Sequence, residues 1–409
     1  MRFAVAIFAV AVLVRGLLLA SWVVPHAYVV APYHVEVEAV ARSLASGRGY
    51  SDPYLVPTGP TAHPLPIQTG LQALLYLLFG ATPTAAYVRA LAGIVACAAS
   101  FAMLPWLAER VGVGRRAGFA GGIAAAVVPW QGLGDALGWW WNEAHAAIAL
   151  GVLVALYGRR WRAPHRVSIA ASLGLGAFAG FAFHLAPALL PVVVGCAVFE
   201  LWWVKDGRKW GWALSIVAGA ALTCAPWAWR NYTAFHEMVF IRSNFGLELR
   251  LDNHDGARAD LWSAGAAGLH PGNSLAEARR VQSLGEIVYM RGARDEAVDW
   301  IRSHPVRFLA LTGARVWHVW FGPPGRPLEA LPVAALTVLA LLGLARVFAR
   351  LDLPGRAGLV IPLVAYPLVL YLVGYIPRYT FPVSGILLVL AGASVTATAP
   401  HQAERTAVS

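Results

Sequence analysis

The chain has 409 residues, of which 58% are hydrophobic and only 13% are charged, and its mean hydropathy is +0.60. Soluble domains carry roughly 25% charged residues, so this composition excludes an ordinary soluble globule and predicts a polytopic membrane protein. The net charge of +11 does not indicate nucleic-acid binding, because the basic residues fall in short clusters between apolar runs, without a stripe of stacking aromatics.

The apolar runs predict an all-α polytopic membrane protein with about ten transmembrane helices. Each run is taken as long enough to cross about 30 Å of hydrocarbon. They lie near residues 3–24, 84–107, 117–131, 139–157, 168–185, 186–203, 211–228, 329–348, 358–374 and 379–397. We interpret the first as a retained signal anchor, because it is longer than the apolar part of a cleavable signal.

Two further apolar runs, residues 65–79 and 306–321, are about 15 or 16 residues long and are not counted as spans. With that choice the arginine-rich loops between spans all fall on one side with Arg2, and the positive-inside rule makes that side the cytoplasm. Both termini are then cytoplasmic, and both short runs are expected to lie as interfacial helices on the extracytoplasmic face.

This topology divides the chain into four regions. Residues 1–229 form an N-terminal transmembrane module, and its first loop, residues 25–83, carries juxtamembrane helices near 34–46 and 65–79. Residues 230–305, called the late loop here, form a small and mainly helical extracytoplasmic domain. Residues 306–321 form the interfacial helix, and residues 322–409 form the C-terminal transmembrane helices. In the late loop, Ser274 followed by Glu277 predicts a helix N-cap.

The helix predicted near residues 34–46 carries two carboxylates that could do chemistry. Glu38 precedes Arg42 by four residues, the spacing of a helix-surface ion pair, and such a pair is the competing interpretation for it. Glu36 has Val40 at that spacing, so it lacks a local partner and is our candidate general base. Glu143 is the third candidate catalytic residue, because it opens the fourth span where an outward cavity would lie.

Three arginines are candidates for binding the phosphate of a lipid-linked donor. Arg230 and Arg378 fall at the predicted outer ends of spans, and the fork of a guanidinium suits phosphate. Arg89 lies near the start of the second span, where a charge tends to face a cavity or a partner. For each of the three, the alternative is a side chain that merely extends to the membrane interface.

Four further residues are candidates for binding the acceptor or the sugar: His63, Glu248, Asn253 and His270. For Glu248 and Asn253 a loop-stabilising role is the alternative. The histidines lack HxxH or HxE spacing, and the three cysteines lie inside apolar runs, so no metal ligands are assigned. A divalent cation is left open as the one conceivable cofactor.

Several short motifs resemble a known family in their order and spacing, over essentially the whole chain. They are 41-ARSLASGRGY-50, 58-TGPTAHP-64, 230-RNY-232, 244-NFGLE-248, 270-HP-271, 284-LGE-286 with 289-YM-290, 303-SHP-305 and 377-PRY-379. The chain resembles bacterial family 39-like glycosyltransferases of the GT-C superfamily, relatives of the protein O-mannosyltransferases and of the lipid-A aminoarabinose transferase.

The resemblance implies a GT-C type bundle in the bacterial inner membrane and a sugar donor linked to polyprenyl phosphate. It also implies an inverting transfer on the extracytoplasmic face, to a glycan, lipid or protein acceptor, with an acidic residue of the first loop activating the acceptor. Many relatives carry Asp, often Asp-Glu, early in the first-loop helix. This chain has Tyr33 and His34 there, and Glu36 is the nearest matching acid.

Three other functions compete with this hypothesis. A ligase or polymerase acting on lipid-linked glycans also has many spans and a late outer loop, but has no place for the first-loop helix or the TGPTA segment. A lipid-sugar transporter or flippase would show repeated halves or paired intramembrane charges, and here the charges within spans reduce to Arg15 and Arg89. A catalytically silent homologue is the third.

Overall fold

A computed structural model describes residues 2–20, 36–128, 143–259 and 268–396 of the chain. Within these ranges the protein is helical and contains no strand, apart from one isolated antiparallel bridge between Ser51 and Pro60. The helical fold class predicted from the sequence is therefore confirmed. The predictions for residues 21–35, 129–142, 260–267 and 397–409, including the start of the first-loop helix at His34, lie outside the described residues.

Among the described residues, the main bundle is built from eleven helices of the N-terminal and C-terminal regions. They are α1 (Arg2–Leu18), α4 (Pro83–Ala102), α5 (Leu104–Arg110), α6 (Arg115–Val127), α7 (Glu143–Arg162), α8 (Ile169–Leu185), α9 (Leu190–Trp203), α10 (Lys209–Phe235), α15 (Pro327–Val347) and α17 (Phe381–Val395), with α16 (Leu353–Ala365) between the last two. Their buried faces form one large apolar core.

The remaining helices belong to the two loops and the segment after them. They are α2 (Glu36–Ala45) and α3 (Pro66–Phe79) in the first loop, α11 (Phe245–Asp252), α12 (Leu275–Leu284) and α13 (Glu286–Ser303) in the late loop, and α14 (Pro305–Phe321). The predicted N-cap is confirmed, since the Ser274 hydroxyl accepts a hydrogen bond from the Glu277 amide at the start of α12.

Four helical stretches are long and apolar enough to cross a membrane: 83–110, 209–235, 327–350 and 377–395. Four more apolar helices are shorter, between 10 and 17 residues. The helices therefore indicate a membrane protein, while the total of ten crossings stays a prediction. The predicted span 84–107 is divided at Met103 into α4 and α5, because Pro105 has no amide hydrogen and its ring clashes with the preceding turn.

Close helix contacts in the bundle depend on glycine. At Gly343 of α15, a Cβ atom would overlap the carbonyl oxygen of Leu390 in α17. At Gly176 of α8, a Cβ atom would overlap the carbonyl of Ile216 in α10. Small residues at such crossings let backbones approach and gain packing energy that lipid does not supply.

The first loop and the late loop share a small core of their own. Tyr54 of the first loop is buried among Leu247, Leu251, Val281 and Tyr289 of the late loop. The predicted topology assigns these loops to separate regions, but their side chains pack into one unit. Residues of both loops can consequently meet at one site.

Candidate active site

Glu36 lies at the start of α2, and the fold brings it to His270 of the late loop. The carboxylate oxygen Oε1 of Glu36 is 3.4 Å from Nε2 of His270, and the two side chains keep 18% and 16% of their surface exposed. The Gly272 amide donates a hydrogen bond to Nδ1 of His270, at 2.9 Å. Because Nδ1 accepts, the proton of the neutral ring resides on Nε2 and points the N–H at the Glu36 carboxylate.

His63 is buried behind this pair. Its Nδ1 is 2.9 Å from the hydroxyl of Tyr54, and its ring meets that of His270 edge-on with centroids 6.1 Å apart. Burial lowers the pKa of His63 well below its usual value, and the positive charge of Arg242 lowers it further. Neutral His63 is therefore a hydrogen-bonding and packing partner at ordinary pH.

A buried carboxylate that the sequence analysis did not place in the site holds His63 in position. Glu286, the first residue of α13, accepts hydrogen bonds from the Thr61 hydroxyl, from the Ala62 amide at 2.7 Å and from the Ser243 hydroxyl at 2.7 Å. Burial raises the pKa of Glu286, while these hydrogen bonds oppose the rise. The Thr61–Ala62 backbone just before His63 is thus fixed to the late loop.

Glu38 has a different partner from the one predicted. The expected pair with Arg42 is wrong: Arg89 of α4 binds Glu38 instead, with Nη1 at 2.6 Å from Oε1. The guanidinium of Arg42 lies over the ring of Tyr76, 5.6 Å from its centroid. An ion pair on one exposed helix surface contributes only a few tenths of a kcal/mol, so a half-buried partner on another helix displaces it. Glu38 is consequently neutralised, whereas Glu36 contacts a histidine.

Glu143 and Arg378 form a second charged pair. Nε of Arg378 is 3.9 Å from Oε1 of Glu143, and both side chains keep less than a fifth of their surface exposed. The neighbouring Tyr379 lies within electrostatic range of Arg242 and Glu248. Glu248 in turn accepts a hydrogen bond from the Asn244 amide group at 2.7 Å.

Arg242 lies beside His63 and was not predicted as a site residue. Its Nε donates a hydrogen bond to the carbonyl oxygen of His63 at 2.6 Å. Nothing in its sequence context marks it, because it lies in a short irregular stretch between α10 and α11 without a motif. The fold therefore brings Glu36, His63 and His270 together and places Arg242 against the His63 backbone. The Glu143–Arg378 pair is linked to Arg242 and Glu248 only through the electrostatics of Tyr379.

Arg230 and Asn253 have structural partners elsewhere. Arg230 donates to the carbonyl oxygens of Thr61 at 2.6 Å and Tyr50 at 2.7 Å, and its guanidinium stacks between aromatic rings. The buried Asn253 amide donates to backbone carbonyls of Leu249 and Leu372, at 2.8 and 3.1 Å. Their proposed roles in phosphate and acceptor binding would require these bonds to be exchanged for bonds to a ligand.

The donor atoms of Glu36, His63 and His270 all lie within 4.8 Å of one another, so this trio could hold a divalent metal. A carboxylate with two imidazoles suits Zn²⁺. Glu36 fits such a role as it stands, and so does His63 if its other nitrogen donates to Tyr54. His270 would have to exchange its tautomer, because coordination through Nε2 needs a bare nitrogen and would place a proton against the Gly272 amide. The sequence spacing hides this trio, because its members come from distant segments.

The protein has the fold of archaeal oligosaccharyltransferases. It superposes on the oligosaccharyltransferase AglB from Archaeoglobus fulgidus in complex with an inhibitory peptide and a dolichol-phosphate, with a TM-score of 0.57 and 16% identity over 95% of this chain and 50% of that one. The oligosaccharyltransferase of that organism in complex with Zn and sulfate gives a TM-score of 0.54 and 16% identity over 94% and 48%.

A third structure, the same enzyme tethered with an acceptor peptide containing the NVT sequon via a disulfide bond, gives a TM-score of 0.55 and 15% identity over 95% and 49%. The chain thus spans about half the length of the structures it matches. No family model and no curated protein matches it. The likeness confirms the expected GT-C type helical membrane fold.

Proposed function

We propose that this protein is an integral membrane glycosyltransferase that moves a sugar from a polyprenyl-phosphate donor to an extracytoplasmic acceptor, with inversion at the anomeric carbon. The observation that carries the proposal is the state of the two first-loop carboxylates. Both side chains keep about a fifth of their surface exposed, but Glu38 is ion-paired with Arg89 at 2.6 Å, whereas Glu36 faces Nε2 of His270 at 3.4 Å. Nδ1 of that histidine accepts from the Gly272 amide, which leaves Nε2 to donate to Glu36. Glu36 is therefore the carboxylate that is available to accept a proton.

The proposed reaction requires one proton transfer and one substitution at this site. Glu36 takes the proton of the acceptor hydroxyl as the oxygen attacks the anomeric carbon, and the bond from that carbon to the phosphate oxygen breaks with inversion. The electron pair leaves on the lipid phosphate, whose growing charge needs cations nearby. Arg378 and Arg242 are the arginines that we assign to this task, with Glu143 orienting Arg378.

Arg89 and Arg230 then serve this reaction through protein contacts. Arg89 removes Glu38 as a competing base, and Arg230 ties the backbone of the first loop to α10. Glu248 and His270 are assigned to the acceptor side because both lie at the late-loop edge of the site. Two of the matched proteins are bound to a dolichol-phosphate or to an acceptor peptide, which supports a lipid phosphate on one side and an acceptor on the other.

If a divalent metal occupies the site, Glu36, His63 and His270 would hold it, and it would supply positive charge near the acceptor. The carboxylate of Glu36 could then not act as the base. Metal binding is accordingly the second candidate role of this trio, favoured by the proximity of its donor atoms.

The contacts of Arg15 favour an enzyme over a transporter. Arg15 in α1 is fully buried and donates to the carbonyl oxygens of Ala125 and Ala126, at 3.0 and 2.8 Å, where α6 nears its end. This contact ties two helices together. A transport path would instead pair such a charge with its cargo or with a coupling ion.

The first experiment identifies donor and acceptor by profiling lipids and glycans of a deletion strain, which should lack one sugar. Complementation with Glu36→Gln should not restore that sugar, since loss of a general base costs about 10²–10⁴-fold in rate. Glu38→Gln is the matched control on the same helix and should retain most activity. Full restoration by Glu36→Gln would remove Glu36 as the base. Lipid-sugar uptake into proteoliposomes without glycoside formation would identify a transporter instead.

A further inference from the structure

A cavity of about 740 Å³ opens between helix ends that are remote from the Glu36–His270 site. We call it the basic cavity, because its lining contains four arginines and two acids. They are Glu109, Arg110, Arg159, Arg162, Arg350 and Asp352. Its volume is on the order of 25 water molecules, which is ample for a phosphate group with its substituents.

Helix α7 places the basic cavity at the opposite end of the bundle. Glu143 at the first residue of this helix contacts Arg378 of the candidate active site, and Arg159 and Arg162 lie in its last turn. At 1.5 Å per residue, its 20 residues separate the two ends by about 30 Å, the thickness of the hydrocarbon core. The arginine distribution predicts that the basic cavity faces the cytoplasm.

The acidic residues of the lining are already neutralised. Arg162 binds Asp352 through two bonds of 2.6 and 2.8 Å, and it donates to the carbonyl oxygen of Arg110 at 3.0 Å. Glu109 is bound by Arg115 at 2.8 Å. Most N–H groups of Arg162 therefore already donate to protein acceptors, and few are left to bind a ligand.

Two arginines of the lining remain without an acidic partner. Among the described residues neither Arg110 nor Arg159 forms an ion pair, and both are exposed. The guanidinium of Arg110 lies 5.6 Å from the ring centroid of Trp106, an aromatic residue with 37% of its surface exposed. Tryptophans are enriched at the level of lipid headgroups, so the cavity opens where phosphates of the membrane are concentrated.

We propose that the basic cavity binds a phosphate group through Arg110 and Arg159, supplied either by an anionic lipid headgroup or by a soluble phosphate compound. Guanidinium forks bind phosphate oxygens in pairs, and basic pockets between helices on the cytoplasmic side are suited to anionic headgroups. The site is separate from the proposed transfer reaction and does not depend on it.

The test is equilibrium binding of radiolabelled short-chain phosphatidylglycerol to the purified full chain in detergent, with inorganic phosphate as competitor. Arg110→Gln combined with Arg159→Gln should weaken binding by roughly 30-fold, since each arginine near a lipid phosphate contributes about a factor of five. The matched control removes two exposed arginines outside the lining, Arg116→Gln with Arg166→Gln, and should bind within about two-fold of the parent.

Each outcome decides one question. Displacement of the lipid by millimolar inorganic phosphate would support a site for soluble phosphates, and resistance to it would support a headgroup site. Saturable binding should be absent for zwitterionic phosphatidylcholine. Equal weakening in both double variants would overturn the proposal, because it would show diffuse surface charge, and so would the absence of saturable binding for both anionic probes. If the double variant does not fold, Arg159→Gln alone should weaken binding about five-fold.

Discussion

Glu286→Ala is expected to release the first loop from the late loop while leaving the transmembrane bundle folded. The side chain is fully buried and accepts three hydrogen bonds, from Thr61, Ala62 and Ser243. Alanine would remove every acceptor at once and leave buried donors that water reaches poorly. His63, which follows directly on Ala62, would lose its fixed position.

The stability lost in Glu286→Ala is set by the buried donors that lose their acceptor. A buried donor without an acceptor costs about 1–3 kcal/mol, and the Ala62 amide cannot turn to another acceptor as the two hydroxyls can. Each of the two hydroxyls also loses a hydrogen bond worth about 0.5–1.5 kcal/mol, so we expect about 3 kcal/mol of lost local stability in total, which makes opening of this segment roughly 150-fold more frequent. Glu286→Gln keeps one oxygen for the Ala62 amide, and a rotated hydroxyl can accept from its NH₂ group, so about 1 kcal/mol should be lost.

Hydrogen exchange of the Ala62 amide in the full-length protein measures this opening directly. Exchange should accelerate strongly in the alanine variant and only several-fold in the glutamine variant, while amides in the middle of α7 keep their protection. Unchanged exchange at Ala62 in the alanine variant would refute the role of Glu286 as an anchor. Equal effects of alanine and glutamine would refute the hydrogen-bond account and point to the charge.

The remaining predictions concern burial, pH and metal. Arg160→Met should lower the free energy of unfolding by about 3–5 kcal/mol, because Arg160 binds buried Glu200 at 2.7 and 2.9 Å and the substitution leaves that carboxylate without its partner. Adding Glu200→Met should restore most of the thermal stability measured in detergent. Equal loss of stability in the single and the double variant would contradict this. Burial raises the pKa of Asp252 to about 7, so the folded state holds an extra proton between about pH 4 and 7 and stability falls as pH rises through that window, by at most about 1.4 kcal/mol per pH unit. Asp252→Asn should abolish that slope in thermal unfolding measured across the window. Zn²⁺ should inhibit sugar transfer by occupying Glu36, and stimulation by Zn²⁺ would exclude Glu36 as the base.

Periodicity and local chemistry predicted the helices of this protein well. The first-loop helix, the short helix at residues 66–79 and the cap at Ser274 all depend on neighbours within a few residues. Such interactions involve residues close together along the chain, so they can be predicted from the sequence. Pro105 indicates the helix break at Met103 in the same local way, although the apolar run continues through it without interruption.

The partners of the charged residues were less predictable, because they depend on tertiary contacts. Glu38 pairs with Arg89 on another helix and not with its neighbour Arg42, and Glu36 contacts His270 of the late loop. Glu286 was noted only as part of the LGE motif, and its side chain secures the backbone beside His63. Pairing these residues from sequence would require information that relates positions far apart along the chain, which a single sequence does not contain.

The position of Glu36 limits the chemistry of the site to one of two states. With the Gly272 amide on Nδ1, His270 offers an N–H to the carboxylate, which orients Glu36 and leaves its other oxygen for an acceptor hydroxyl. With a metal on Nε2, that N–H is absent and the carboxylate is a ligand, so its affinity for a proton is largely lost. If Glu36 acts as the proposed base, the same backbone amide favours that metal-free state. Displacing it from Nδ1, for example by moving the turn that carries Gly272, would favour the metal site at the expense of transfer through Glu36.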